Sequence, residues 1–161
     1  MKKIVITSGY FNPIHIGHIN LLREAKKLGD FLIVIVNNDK QVKIKGNVPF
    51  MREKERMEII KAIKYVDEVF LSIDKDETVC KSLETIFKKY NNKGQFYFVK
   101  GGDRNVNNIP ECEKTVCKEN SAQIISGVGG KKVQSSSMLL GNVIKFYKKE
   151  CQKILKILKS R

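Results

Sequence analysis

The sequence predicts an α/β fold: a doubly wound, five-stranded parallel sheet with helices on both faces. Two observations carry that prediction. Short apolar runs and segments of helical periodicity alternate five times along 161 residues, with no repeat, low-complexity block or linker between them. Segments dense in glycine and polar residues follow the strand ends, where parallel sheets of this kind hold ligands outside their carboxyl edge.

The first strand is Lys2 to Ser8, β-branched through Ile4, Val5, Ile6 and Thr7 and closed by Ser8-Gly9. A helix follows from Gly17 to Leu28, with Ile19, Leu22, Ala25 and Leu28 at helical spacing and Gly29-Asp30 as its stop. Phe31 to Val36 is wholly apolar and bounded by Asn37-Asn38-Asp39, the pattern of a strand buried on both faces. Arg52 to Ile63 is helical, Val66 to Leu71 a third strand, and Thr78 to Tyr90 a helix carrying Leu83, Ile86, Phe87 and Tyr90. Phe96 to Val99 is a fourth strand ending at Gly101-Gly102. Pro110 opens a helix to about Lys118. Ala122 to Ser126 is the fifth strand. The last helix runs from about 135 to 159 with Leu140, Val143, Tyr147, Cys151, Ile154 and Leu158 as one stripe, placed either to cover the sheet or to make a contact. The architecture is Rossmann-like, a single domain over 1–161. Ser8–His18, Asn37–Gly46, Lys100–Arg104 and Gly127–Ser137 should converge on one rim.

Composition narrows the function classes. Apolar residues are 42% and charged residues 30%, a globular balance. The longest wholly apolar run is six residues, against the roughly 18 of a membrane helix. The apolar stretch after Met1-Lys2-Lys3 is too short for a secretory signal. These features argue against a membrane, exported or multidomain protein and for the cytoplasm. Cys80, Cys112, Cys117 and Cys151 form no C-x-x-C pair and are expected as free thiols in a reducing compartment, with no structural metal site. Net charge is +14, but only five of the 31 basic residues are Arg and the lysines are dispersed. The run Lys145, Lys148, Lys149, Lys153, Lys156, Lys159 and Arg161 reads as a solvated helix face rather than a nucleic-acid surface. A positive field still attracts small phosphorylated molecules.

The sharpest signal is Gly9-Tyr10-Phe11-Asn12-Pro13-Ile14-His15-Ile16-Gly17-His18, which holds both histidines of the chain at a strand-to-helix turn. A helix N-terminus presents unpaired N–H groups to an anion, and imidazoles there can donate to phosphate oxygens. Gly17 lets backbone approach closely.

At His15-Ile16-Gly17-His18 the chain resembles the H-x-G-H nucleotidyltransferase superfamily of cytidylyltransferases and adenylyltransferases. The likeness continues through Asn38-Asp39, Lys43-Ile44-Lys45-Gly46, Arg52 to Arg56 with Tyr65-Val66-Asp67-Glu68-Val69, Lys100-Gly101-Gly102-Asp103 and Gln134-Ser135-Ser136-Ser137. The Lys-Gly-Gly-Asp stretch is similar to that of heptose-phosphate adenylyltransferases, and the core pattern to glycerol-phosphate cytidylyltransferases. Asn12 stands where the latter usually carry Asp, and Gly129-Gly130-Lys131-Lys132 where an Arg often precedes the hydroxyl turn.

The resemblance implies an enzyme that transfers CMP or AMP from CTP or ATP to a phosphorylated small molecule, a sugar or polyol phosphate by preference, releasing pyrophosphate. It implies His15 and His18 as catalytic donors to the α-phosphate, with Lys43 and Lys45, on a loop, offsetting charge. Gly9, Tyr10, Phe11, Asn12, Gly17, Gly101, Asp103, Gln134, Ser135, Ser136 and Ser137 would bind the nucleotide, and Asp39 and Arg104 the acceptor. Mg²⁺ would bridge phosphate oxygens and need few protein ligands. No nucleic acid or membrane partner is implied, and the family allows a homodimer. Arg56 could equally pair with Glu53 or Asp67 in a structural role. A coenzyme-precursor adenylyltransferase, of the nicotinate mononucleotide or pantetheine phosphate type, is the nearest alternative. A basic nucleic-acid-binding module on an inert fold is the alternative of another class, and its affinity would fall steeply with salt.

Overall fold

In the computed structural model the described residues are 2–91, 93–102, 106–130 and 133–159, with the side chains of 106 and 153–159 left aside. The expected alternation holds. Five strands, β1 (Lys3–Gly9), β2 (Phe31–Val36), β3 (Glu68–Leu71), β4 (Gln95–Gly101) and β5 (Gln123–Val128), form one parallel sheet in the order β3-β2-β1-β4-β5. The central strand pairs on both sides, with Ile6 opposite Ile33 of β2 and Phe98 of β4.

The helices are α1 (Ile16–Lys27), α2 (Asp39–Ile44), α3 (Glu53–Lys61), α4 (Cys80–Lys89), α5 (Glu111–Glu119) and α6 (Ser136–Lys159). Strand alternation sorts the core into two layers. Val5, Leu32, Val34 and Val99 face Leu21, Leu22 and Ala25 of α1 and Ile60 of α3. Ile4, Ile6, Ile33, Ile35 and Phe98 face Leu83, Ile86 and Phe87 of α4 and Val116 of α5. Each interior strand therefore needs apolar side chains on both faces, which is why β2 reads as an unbroken apolar run.

Three expectations are corrected and one open alternative is narrowed. The segment Asn37–Gly46 is not a loop throughout. Asn38 caps α2, its side chain accepting from Gln41 N while Gln41 Oε1 accepts from Asn38 N. A six-residue helix shows too little periodicity to be seen in sequence. Cys80 and Cys112 are not free thiols: they form a disulfide joining the starts of α4 and α5, whereas Cys117 and Cys151 are free. Two residues 32 apart become neighbours only because the two helices lie side by side on one sheet face. Arg56 pairs with neither Glu53 nor Asp67 but with Asp39, at 2.7 Å. Of the two roles left open for α6, the described side chains do not support covering the sheet: Val143 and Tyr147 stand 52% and 63% exposed.

Candidate active site

The carboxyl edge of the sheet opens into a cleft of about 420 Å³. The strand order reverses between β1 and β4, and such a reversal leaves a crevice between the loops that diverge from the two strands. Ser8, Gly9 and Tyr10 from β1 and its loop line one wall, Lys100, Gly101 and Gly102 the opposite one.

His15 and His18 enter from the start of α1. His15 is the N-cap residue, and its Nδ1 accepts from Gly17 N at 3.1 Å. The Nδ1 of His18 accepts from His15 N at 3.3 Å, completing a reciprocal cap made of two imidazoles. The rings stack with centroids 3.8 Å apart. Because both Nδ1 atoms accept backbone N–H groups, the ring proton of each neutral imidazole sits on Nε2. The caps thus fix the tautomer that donates from the far side of each ring. Burial, then the neighbouring His15, lowers the His18 pKa to about 3, so this ring is neutral near pH 7.

Phe11 explains part of that burial. Its ring lies 4.8 Å from His18 and belongs to the core layer under α1. Its φ of 50° and the glycine at position 9, where a Cβ would come within 2.8 Å of the ring, let the side chain fold back. The expected nucleotide contact by the Phe11 side chain is therefore corrected: it backs the histidine from below. Asn12 is also nearly buried. Its Nδ2 donates to Val48 O at 2.8 Å and its Oδ1 accepts from Phe50 N at 2.6 Å, pinning the 48–50 segment beside the cleft.

Arg56 binds the other rim loops together. Its fully buried guanidinium donates to Tyr10 O (2.6 Å), Asn37 O (2.7 Å), Met51 O (3.1 Å) and Asp39 Oδ1. Asp39, expected at the acceptor, spends one carboxylate oxygen on this anchor and does not line the cleft. Lys43 lies exposed on the last turn of α2, away from the cleft lining. Lys45 caps the C-terminus of that helix, lines the cleft and meets Glu77 at 3.5 Å.

The opposite end is closed by the start of α6. Ser135 accepts from Met138 N at 3.2 Å as its cap, and Ser136 Oγ donates to Pro13 O at 2.8 Å, tying the helix to the histidine loop. Gln134, Ser135, Ser136 and Ser137 all line the cleft, with Gly129 and Gly130 beside them. At Gly129, with φ of 91°, a Cβ would lie 2.9 Å from the backbone of Leu21. Only glycine lets this loop approach the backbone of α1 so closely.

The structure therefore brings together His15, His18, Lys45, Gly9, Tyr10, Asn12, Gly17, Gly101, Gln134, Ser135, Ser136 and Ser137. Asp103 and Arg104 lie outside the described residues. Sequence reading passed over Glu113 and gave Lys100 no role of its own. These two side chains form a buried ion pair at the cleft, 2.8 Å apart, from β4 and α5. The Gly-Gly after Lys100 marked the strand end, but nothing in sequence pointed to its partner.

Known proteins fit this geometry. The cytidylyltransferase-like family model matches residues 6–140, from β1 into the first turns of α6. An FAD synthase of Ferroglobus placidus is 48% identical over 86 residues, covering 53% of this chain and 54% of its own. The bifunctional protein HldE of Citrifermentans bemidjiense is 33% identical over 148 residues, 91% of this chain and 28% of its own. The crystal structure of a lipopolysaccharide core biosynthesis protein from Thermoplasma volcanium aligns with a TM-score of 0.64 at 26% identity, covering 82% of this chain and all of that one. The chain spans about half the length of the first of these curated relatives and less than a third of the second. With four strands, most of β1 and both histidines inside the matched region, the chain belongs to the cytidylyltransferase-like family.

Proposed function

We propose that the protein transfers a nucleotidyl group from a nucleoside triphosphate to the phosphate of a small molecule, releasing pyrophosphate. The observation that carries this reading is the pair of stacked imidazoles whose Nδ1 atoms are both occupied by backbone N–H groups, so that Nε2–H is the group each can offer to an oxygen anion. In-line attack of an acceptor phosphate oxygen on the α-phosphorus needs no protein nucleophile. It needs two polyanions aligned and the negative charge on the oxygens around the reacting phosphorus met by donors. His15 and His18 donate to those oxygens through Nε2–H, and His18 does so as a neutral imidazole. Lys45 offsets acceptor or leaving-group charge. The Ser135–Ser137 turn meets the distal phosphates at the start of α6.

Among the described residues no three His, Cys, Asp or Glu side chains are grouped to hold a metal ion. In this reading Mg²⁺ would arrive with the triphosphate, which would hold it mainly through phosphate oxygens and water.

The acceptor side of the cleft offers Asn37, Lys45, Asn47 and Glu77, with Val42 and Val79 as its apolar members. Amide, ammonium and carboxylate groups suit the hydroxyls and phosphate of a sugar or polyol phosphate better than a broad aromatic ring. Adenylyl transfer to a coenzyme precursor is the second reading. It is favoured by the 48% identity to an FAD synthase.

The test is a pyrophosphate-release matrix: CTP, ATP, UTP and GTP with Mg²⁺, each crossed with glycerol, ribitol and heptose phosphates and with FMN. One triphosphate should yield pyrophosphate only in the presence of one class of acceptor. Release with no pair, together with salt-sensitive nucleic-acid binding, would replace this reading by the inert-fold alternative.

A further inference from the structure

Lys100 and Glu113 form a charged feature of the cleft for which the imidazoles and the serine turn give no account. Phe98 points to the α4/α5 face and Val99 to the α1 face, so Lys100, next along β4, points toward α5 at the strand's carboxyl end. The β4–β5 register shifts between Val99 and Gly101, which marks the ladder as irregular around this residue. The ammonium donates to Ser8 Oγ at 3.1 Å, lies 4.4 Å from the Phe98 ring centroid and touches Glu113 Oε2 at 2.8 Å. Both charged side chains are at least 95% buried. Ser8 belongs to β1 and Lys100 to β4, so this contact spans the two strands between which the sheet order reverses.

The pair is poorly matched to a purely structural role. Replacing a buried ion pair by neutral groups of similar volume is commonly neutral or stabilising, because desolvation offsets the attraction. Glu113 Oε2, moreover, is in ionic contact with Lys100 without an aligned hydrogen bond. What the fold does supply is a fixed carboxylate. Glu113 Oε1 accepts from Val79 N at 3.2 Å, and the Cys80–Cys112 disulfide joins the residues next to both of these. A cation is thus held at the crevice by a carboxylate that two helices and a covalent bond keep in place.

We infer that Lys100 is an anion-binding group at the floor of the crevice, meeting a phosphate of the bound reactants, and that Glu113 is its positioning residue. This rests on the nucleotidyl-transfer reading above. An incoming phosphate shares the ammonium with Glu113, whose anchored position keeps Lys100 from swinging out of the crevice when the site is empty.

Two double variants, Lys100→Met/Glu113→Gln and Lys100→Gln/Glu113→Gln, remove both charges without leaving either one buried alone. Each is compared with the unaltered protein by calorimetric titration with Mg²⁺–tripolyphosphate and by steady-state kinetics. The expected result is a melting temperature within a few degrees of the unaltered protein, tripolyphosphate binding weakened at least tenfold, and kcat/KM lowered roughly a hundredfold, the scale for one charge-stabilising donor. The KM for the phosphate-bearing reactants rises. Lys100→Arg, which keeps the charge, recovers most of the binding. Unchanged tripolyphosphate affinity, or unfolding of both neutral pairs, would mark the pair as structural and overturn the inference. If the unaltered protein binds tripolyphosphate but releases pyrophosphate with no acceptor, the reaction is wrong while the assignment of Lys100 stands.

Discussion

The protonation state of His18 can be tested without knowing the substrate. Its folded pKa of about 3 lies below the ordinary histidine value of 6.5, because burial penalises the imidazolium and His15 adds to the penalty. The unfolded chain then binds a proton that the folded chain refuses. Stability is complete above the unfolded value and is lost as pH falls from 6.5 toward 3. At pH 5 the gap of 1.5 pH units below the unfolded value costs about 2 kcal/mol. For a chain of this length that is roughly 4–8 °C in melting temperature. The perturbation is His18→Asn, whose Oδ1 can still accept from His15 N but whose side chain does not titrate. Thermal melts of both proteins at pH 7.5 and pH 5 isolate the residue, since other titrating groups largely cancel in the difference. The advantage of the unaltered protein over the variant should shrink by those 4–8 °C at the lower pH. A gap that stays constant would mean that folded His18 carries its proton, and the assignment of a neutral Nε2–H donor would be wrong.

Two further perturbations probe the frame around the cleft. Replacing Cys80 and Cys112 by Ser, or reducing their bond with a dithiol, opens a 32-residue separation and should lower stability by about 3–4 kcal/mol on the chain-entropy model; a melting temperature unmoved by reductant would contradict it. Arg56→Met leaves the carbonyls of Tyr10, Asn37 and Met51 without their donor. Urea unfolding should register a loss of about 3 kcal/mol or more, and Arg56→Lys should recover little of it, since one ammonium cannot reproduce a planar fork with four acceptors.

The fold was legible because its main signal is one-dimensional. Unbroken runs such as Phe31 to Val36 report burial on two faces, and the stripe of Leu22 and Ala25 reports a helix on a sheet. The elements that escaped notice lack such a signal. Helix α2 rests on a single cap, Asn38 with Gln41, and buries only Gln41 and Val42. For α6 the periodicity was sound, yet amphipathicity says which side chains share a face and not whether that face has a neighbour; Val143 and Tyr147 share one and remain exposed.

Within the cleft, the division between what could be read and what could not follows sequence distance. The imidazole pair and the serine turn are local clusters whose chemistry is visible in a few adjacent letters. Lys45 lies on the turn after α2 and lines the cleft, whereas Lys43 sits on the helix away from it. By contrast, Phe11 and Asn12 sit inside the sharpest motif and yet support it, one as a floor beneath His18 and the other as a pin for the 48–50 segment. Motif membership does not separate residues that touch a ligand from residues that hold those that do. Arg56–Asp39, Lys100–Glu113 and Cys80–Cys112 each join separate elements, and pairing them requires the strand order first. All three converge on the rim of the cleft rather than on the centre of the core. Arg56 holds loops, which apolar packing alone positions poorly because loops expose backbone groups that must be satisfied one by one, while the other two pairs fix the starts of α4 and α5 beside the cleft. The consequence is testable in kind: Arg56→Met should disturb ligand binding at temperatures where the sheet remains intact, which core truncations such as Ile33→Ala should not do before they unfold the whole chain.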